Sequence, residues 1–461
     1  MPNPAALALA FFVVLLAPPL AAAAKSPNII VIMADELGYG DVGFNGGTEI
    51  PTPNLNRIAA GGVVCTSAYI CNPNGSANRA GLMTGRYPNR FGYERSVAWR
   101  PHDPAVGLPI TELTLAETLR PLGYQSALIG KWHLGAHDNF HPLNRGFDEF
   151  FGFLGGGHHS FPEQMTVQNT YEARIEPESY RTWPLRGMEP VRPQRYLTEE
   201  LTQEAVDFVR RQNRDKPFFL TLAYNAPRSP LQAPAAEIAA LTRIKDEKRR
   251  TYAAMIAVMD RGVGQVLDAL DALELADDTL LFFTSSTGGD SPVTGAYNGW
   301  VRGIRGELWE GGIRVPFVAR WPARLPGGRT YRRPVSVLDI FATAAAANQL
   351  PADPLRPLDG VDLVPFLRGD RTDAPHPRLF QRMADFGRFV VREGDFKLVR
   401  TAKDKAPLLY DLAKDPLEKS DVAGTHPDRV ESLTASFNLW NADMMEPNIP
   451  GLDIREWQQG R

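Results

Sequence analysis

The chain reads as an α/β protein: a largely parallel sheet sandwiched by helices, followed by a small antiparallel sheet with one helix. Three observations predict this. Nearly continuous apolar runs recur, first in Asn28-Ile29-Ile30-Val31-Ile32-Met33-Ala34 and then at 126–129, 218–223, 280–284 and 315–319. Such runs suit strands buried on both faces. Helical patterns lie between them, at 113–119, 197–211 and 250–270, and strand–helix alternation argues a parallel sheet covered by helices. From about Pro375 the pattern changes to short strand candidates, 389–391, 396–399 and 408–410, with the tight turn Glu393-Gly394-Asp395 and a closing helical stretch at 427–440.

Taken in order, residues 5–24 form an apolar run broken by Pro18 and Pro19 and ending in Ala21-Ala22-Ala23-Ala24. A small-residue end of this kind predicts a cleaved secretory signal over 1–24. The run has no Lys or Arg before it, so an uncleaved anchor stays open as the alternative. No later run is long enough to cross a membrane. The expected organisation is a signal at 1–24, an α/β domain at 25–374 and a C-terminal subdomain at 375–461, with a periplasmic or secreted location. Thr52-Pro53 offers a helix start. The sequence after Ser76 reads as a loop, with a helix beginning near Arg79. Asp35, Lys131 and Ser286 each fall just past a strand, where functional groups of such sheets gather. A net charge of -3 gives no reason to expect nucleic acid as a partner. Cys65 and Cys71 have no zinc spacing; two buried free thiols are expected, with a disulfide left open.

Several segments carry a family resemblance. These are Ala34-Asp35-Glu36-Leu37-Gly38-Tyr39-Gly40-Asp41, the stretch 68–86 around Asn74-Gly75-Ser76-Ala77-Asn78-Arg79, Gly130-Lys131-Trp132-His133-Leu134-Gly135, Glu310-Gly311-Gly312-Ile313-Arg314, and Gly394-Asp395-Phe396-Lys397-Leu398. Together they resemble the type I, formylglycine-dependent sulfatases over almost the whole chain after the leader. The resemblance implies an alkaline-phosphatase-like α/β fold. In that family a Cys or Ser four residues before the first Arg is oxidised to formylglycine, and two Asp, then an Asp and an Asn, hold calcium.

At those positions this chain departs from the pattern. Gly75 stands at the nucleophile position, with no side chain to oxidise. Asp35 and Glu36 form the first acidic pair, and Ser286 and Thr287 replace the second. Arg228 stands where the family has a sulfate-binding His, and Arg305 where it has a Lys. Calcium favours about six to eight oxygens with carboxylates supplying the charge, so the departures imply a degenerate metal site and no cofactor.

What remains is a charged pocket. Arg79, Lys131, His158, His159, Arg228 and Arg305 are the expected substrate-binding groups, and Asp35, Glu36, Glu307 and His133 the expected catalytic ones. Two carboxyl groups suffice for metal-free glycoside hydrolysis, so the leading expectation is a repurposed glycosidase acting on polysaccharide-derived, possibly sulfated, glycans. Its partner is then an oligosaccharide. The bland reading of the same charges is that the arginines neutralise a carboxylate pair left without its metal, in a catalytically inactive pseudosulfatase that binds a glycan or a partner protein. A third reading is a residual sulfatase using Cys71 or Ser76. Trp132, Trp300 and Trp309 are candidate sugar platforms.

Overall fold

Asn28–Ala34 is the central strand, and every residue in it is buried. Its alternating side chains feed two cores. Ile29, Val31 and Met33 join the cluster that includes Leu82, Phe219 and Phe282. Ile30, Ile32 and Ala34 join the cluster of Phe218, Leu220, Leu222, Leu201 and Met255. Both faces of the sheet are therefore covered, which explains the unbroken apolar run. The computed structural model describes residues 26–451; the expected signal at 1–24 lies outside the described residues.

Among the described residues the main sheet has ten strands. Asn28–Ala34 pairs in parallel with Phe218–Ala223 on one side and Thr279–Ser285 on the other. Beyond Phe218–Ala223 lie Gln125–Lys131 and Glu149–Phe153, also parallel. The expected strand at 315–319 is Phe317–Arg320, and it runs antiparallel to Thr279–Ser285. The segment from 286 to 316 carries only two short helices. The chain therefore re-enters the sheet from the same end of the strands at which it left. Helices Leu197–Arg210 and Glu247–Ala272 cover one face. Gly75–Thr84 packs on the other, so this helix begins four residues earlier than its expected start near Arg79.

The closing sheet has the antiparallel strands Leu379–Met383, Arg388–Glu393, Phe396–Arg400 and Leu408–Asp411. Helix Pro427–Ala442 packs on it, with Phe437 stacked on Phe389 at 3.9 Å between ring centres. A buried ionic joint fastens this sheet to the main body. Lys397 Nζ lies 3.1 Å from Glu310 Oε1 and 2.7 Å from Glu418 Oε1, all three side chains fully buried. Tyr69 donates to Glu310 Oε2, and the Glu310 amide donates to Glu418. Burial works to raise the Glu310 carboxyl, but Lys397, Arg314 and Arg392 outweigh it and keep it below its ordinary range.

Removing the shared cation strands two buried carboxylates. Lys397→Met should lower unfolding stability by about 3–5 kcal/mol, read from urea curves. Adding Glu310→Gln and Glu418→Gln should recover part of that loss.

Candidate functional site

The site forms at the C-terminal ends of three strands near the middle of the sheet. Asp35 and Glu36 follow Asn28–Ala34, Lys131 ends Gln125–Lys131, and Ser286 follows Thr279–Ser285. Helix Gly75–Thr84 points its N-terminus at the same place, since an ideal Cβ on Gly75 would meet Thr287 Cγ2 at 3.7 Å and Ser286 Oγ at 3.9 Å. Two side chains here leave strands with backbone conformations that L-residues rarely adopt: Glu36 at φ 64° and His133 at φ 58°. Packing holds them there, as is common at functional sites.

Four cations converge on the two carboxylates. Lys131 Nζ donates to Asp35 Oδ2 at 2.7 Å and to the Gly156 carbonyl at 2.6 Å. Arg79 Nη2 and Ser286 Oγ donate to Asp35 Oδ1 at 3.1 and 2.7 Å. Arg228 Nε and Arg305 Nε both reach Glu36 Oε1, at 2.7 and 2.8 Å. Arg228 also donates to Tyr180 Oη, and Arg305 to Asp290.

These contacts set the protonation states. Burial favours a neutral Asp35, but Lys131, Arg79 and Arg228 outweigh it and hold the carboxyl well below its usual range. Burial, only partly offset by Asp35, combines with Arg228 and Arg79 to bring Lys131 down to about 7. Burial and the facing cations Lys131, Arg79 and Arg228 keep His133 well below its ordinary value, and therefore neutral at pH 7. Arg79 Nε and His133 Nδ1 are buried and, among the described residues, have no hydrogen-bond partner. Buried polar atoms of this kind are left with hydrogen-bonding capacity that a bound molecule can use.

The remaining expected site residues are placed differently. His158 packs on Phe153 at 4.8 Å, with Nδ1 on the His159 carbonyl, and burial brings it down to about 4. Gln232 holds His159. The backbone of their loop does reach the site, through Gly156. Glu307 accepts from the Ile304 amide at 3.1 Å and closes its own turn. Thr287 Oγ1 donates to the Gly288 carbonyl. Ser76 Oγ donates to the His133 carbonyl and contacts Tyr93 Oη. Cys71 Sγ lies against Gly81, and burial pushes its thiol up. Neither is offered as a nucleophile. Both cysteines are free and buried. Trp132 is a core residue, Trp309 stacks under Arg302, and Trp300 is exposed. Sequence reasoning missed Tyr180, Glu176 and Asp290. Glu176 accepts from the Gly156 amide. No motif surrounds any of the three.

A model of the family described as Sulfatase matches residues 27–349. The chain belongs to the sulfatase family. It is 36% identical over 374 residues to canine N-acetylgalactosamine-6-sulfatase, covering 77% of this chain and 69% of that protein. The human N-acetylgalactosamine-6-sulfatase is 31% identical and covers 94% and 89%. Human steryl-sulfatase is 32% identical and covers 78% and 72%. The crystal structure of Ps i-CgsB in complex with k-i-k-neocarrahexaose superimposes with a TM-score of 0.87 at 34% identity, covering 95% of this chain and 98% of that one.

These relatives correct three expectations. The glycosidase reading gives way, because the matched relatives are named sulfatases. Its physical basis fails too: Asp35 and Glu36 are held by cations, whereas a glycosidic acid must keep its proton. The pseudosulfatase reading falls to the same relatives. The expectation of no cofactor is likewise withdrawn, since sulfatase family members normally use calcium and a formylglycine. The residues present do not fit that calcium, however. Both Asp35 oxygens and Glu36 Oε1 already serve ammonium, guanidinium or hydroxyl groups, and Ser286 and Thr287 bring no charge. Among the described residues no group of three or more His, Cys, Asp or Glu is arranged to hold a metal.

Gly75 lies in a helix where an added Cβ would make only ordinary contacts, with Thr287 and Ser286. Gly75→Ala should therefore fold normally and gain about 0.4–1 kcal/mol in urea unfolding.

Proposed function

We propose that this chain hydrolyses sulfate esters of oligosaccharides, with the sulfate seated among Arg79, Lys131, Arg228 and Arg305. The observation that carries this reading is the convergence of four cations on one buried pocket. Their ion-pair partners are Asp35, Glu36 and Asp290, while burial raises the nearby Glu176 carboxyl, which accepts from the Gly156 amide, so the cluster suits a further anion such as a sulfate monoester. The orphaned Arg79 Nε and His133 Nδ1 are further polar groups for its oxygens. The named sulfatase relatives support the bond class, and the hexaose complex of Ps i-CgsB supports a saccharide.

Water is the nucleophile in this reading, because Gly75 offers no side chain and leaves its space open. Water attacks sulfur and the bond from sulfur to the sugar oxygen breaks. The electron pair stays on that oxygen, which takes a proton from the Lys131 ammonium. A proton of the attacking water restores Lys131, and hydrogensulfate leaves. A lysine brought to about 7 suits an acid that must release and regain a proton near neutrality. The arginines keep their charge throughout and stabilise the charge developing on the sulfuryl oxygens. No helix among the described residues is long and apolar enough to cross a membrane; with a leader at 1–24, the proposed location is the periplasm or outside the cell.

Incubation with N-acetylgalactosamine 6-sulfate and a sulfated neocarrahexaose, read by ion chromatography and mass spectrometry, should give free sulfate with the sugar length unchanged. Lys131→Met should reduce release by about a hundredfold or more. Gly75→Ala should do so by about a hundredfold, its methyl displacing the water. Shortened sugars, or tight binding without any sulfate release, would count against the proposal.

Binding should also depend on pH. The lysine supplies its charge below about 7 and loses it above. Affinity for a sulfated saccharide should therefore fall as pH rises from 6 to 9, approaching about tenfold per unit above the transition for one linked proton. Titration calorimetry of Lys131→Met should show a flat profile.

A further inference from the structure

A second concavity opens beside the sulfate pocket. It has a volume of about 710 Å³ and is lined by Trp99, Arg100, His102, Tyr171, Glu172 and Arg174, among others. That is within the range of about 300–1,000 Å³ usual for small-molecule sites. Two segments build it. Trp99 Nε1 donates to the Ala173 carbonyl at 2.7 Å, and His102 Nε2 lies 3.1 Å from the Tyr171 carbonyl, so 99–104 is clipped to 171–174. The His102 and Tyr171 rings lie 6.4 Å apart at a 37° tilt, and Tyr171 Oη is anchored on Asp138.

The groove and the pocket share their walls. Val97, two residues before Trp99, donates its amide to Ser76 Oγ, next to Gly75. On the other side, an ideal Cβ on Gly155 would sit 3.5 Å from Trp99 Cζ3, and the next residue, Gly156, accepts from Lys131. The loop that holds the pocket lysine thus also abuts the Trp99 floor of the groove.

Resting on the sulfate-ester reading of the pocket, we infer that this groove binds a neighbouring sugar unit of the same oligosaccharide. Partly exposed aromatic rings offer flat apolar faces with polar edges, which suit the face of a sugar ring. Arg100, Arg174, Asp103 and Glu172 set hydroxyl-binding groups around them. Their charges balance, with two of each sign, so the groove favours a neutral sugar ring over a second sulfate. The groove therefore acts on chain length: it adds affinity for an oligosaccharide and none for a sulfated monosaccharide.

Titration calorimetry with N-acetylgalactosamine 6-sulfate, a sulfated neocarrahexaose and its desulfated form tests this on the full chain. The wild type should bind the sulfated hexaose at least about tenfold more tightly than the monosaccharide. Tyr171→Ala and His102→Ala should each remove most of that difference and leave the monosaccharide affinity unchanged. Lys131→Met should weaken both sulfated ligands and spare the desulfated hexaose. Equal affinities for monosaccharide and hexaose, or groove variants with no effect on the hexaose, would overturn the groove. So would the absence of binding to any of the three. If the desulfated hexaose binds as well as the sulfated one and Tyr171→Ala abolishes both, the groove stands and the sulfate pocket falls. Because Tyr171 is anchored on Asp138, thermal melting of Tyr171→Ala, with His102→Ala at an exposed position as the second variant, separates lost binding from lost folding.

Discussion

The site depends on one electrostatic constraint: two carboxylates are buried side by side at the end of the central strand. Asp35 and Glu36 are each about one-twentieth exposed or less, and an unpaired charge at such a position is very costly. Every neighbouring element answers that cost. The strand of Lys131, the helix of Arg79 and the loops of Arg228 and Arg305 each deliver one cation, and Ser286 adds a hydroxyl. The rare backbone angle of Glu36 belongs to the same arrangement, since it turns two consecutive acids to meet different partners. These contacts crosslink six segments distant in sequence, so the pocket is also a structural knot.

The main architecture was legible in the sequence because burial on both faces leaves an unmistakable apolar run. Asn28–Ala34 and Phe218–Ala223 appear with the expected bounds, and the long helices shift by a few residues only. Strand direction was not legible at Phe317–Arg320, whose composition matches its parallel neighbours. Direction there depends on where the preceding loop ends. The helix start at Gly75 was hidden for a related reason. Asn74 makes no side-chain capping bond, and Gly75 weakens the helical signal locally. What fixes that turn is tertiary: Asn78 Nδ2 reaches the Ser286 carbonyl, and Ser76 Oγ the His133 carbonyl.

The candidate site was legible in part. Asp35, Glu36, Arg79, Lys131, Arg228 and Arg305 do meet, because each sits in or beside a segment whose spacing the family resemblance fixes. The roles assigned to Glu307, His158 and His159 had no such support. A charged residue near a glycine-rich turn is as easily a turn staple, and Glu307 bonds Ile304 three residues away. The reverse holds for Tyr180 and Glu176, which reach Arg228 and Gly156 from a connecting segment without regular pattern. Glu310-Gly311-Gly312 shows a further limit of reading motifs as chemistry: its acid is committed to Lys397 and Tyr69 in the joint with the C-terminal sheet.

Charge balance separates the two hydrolytic chemistries that this pocket brings to mind. Glycoside hydrolysis stabilises a cationic sugar in the transition state, so it needs free carboxylate and a retained carboxylic proton. Here burial and four cations do the opposite: they hold Asp35 ionised, occupy Glu36 and line the pocket with guanidinium and ammonium groups. That field disfavours an oxocarbenium ion and favours an anion. Sulfate transfer to water places charge on the sulfuryl and leaving oxygens. Guanidinium groups meet oxyanions without titrating, and a lysine lowered to about 7 can release its proton as the ester bond breaks. The loss of a side chain at Gly75 therefore removes one nucleophile without removing the electrostatic reason for a sulfate ester to bind beside it.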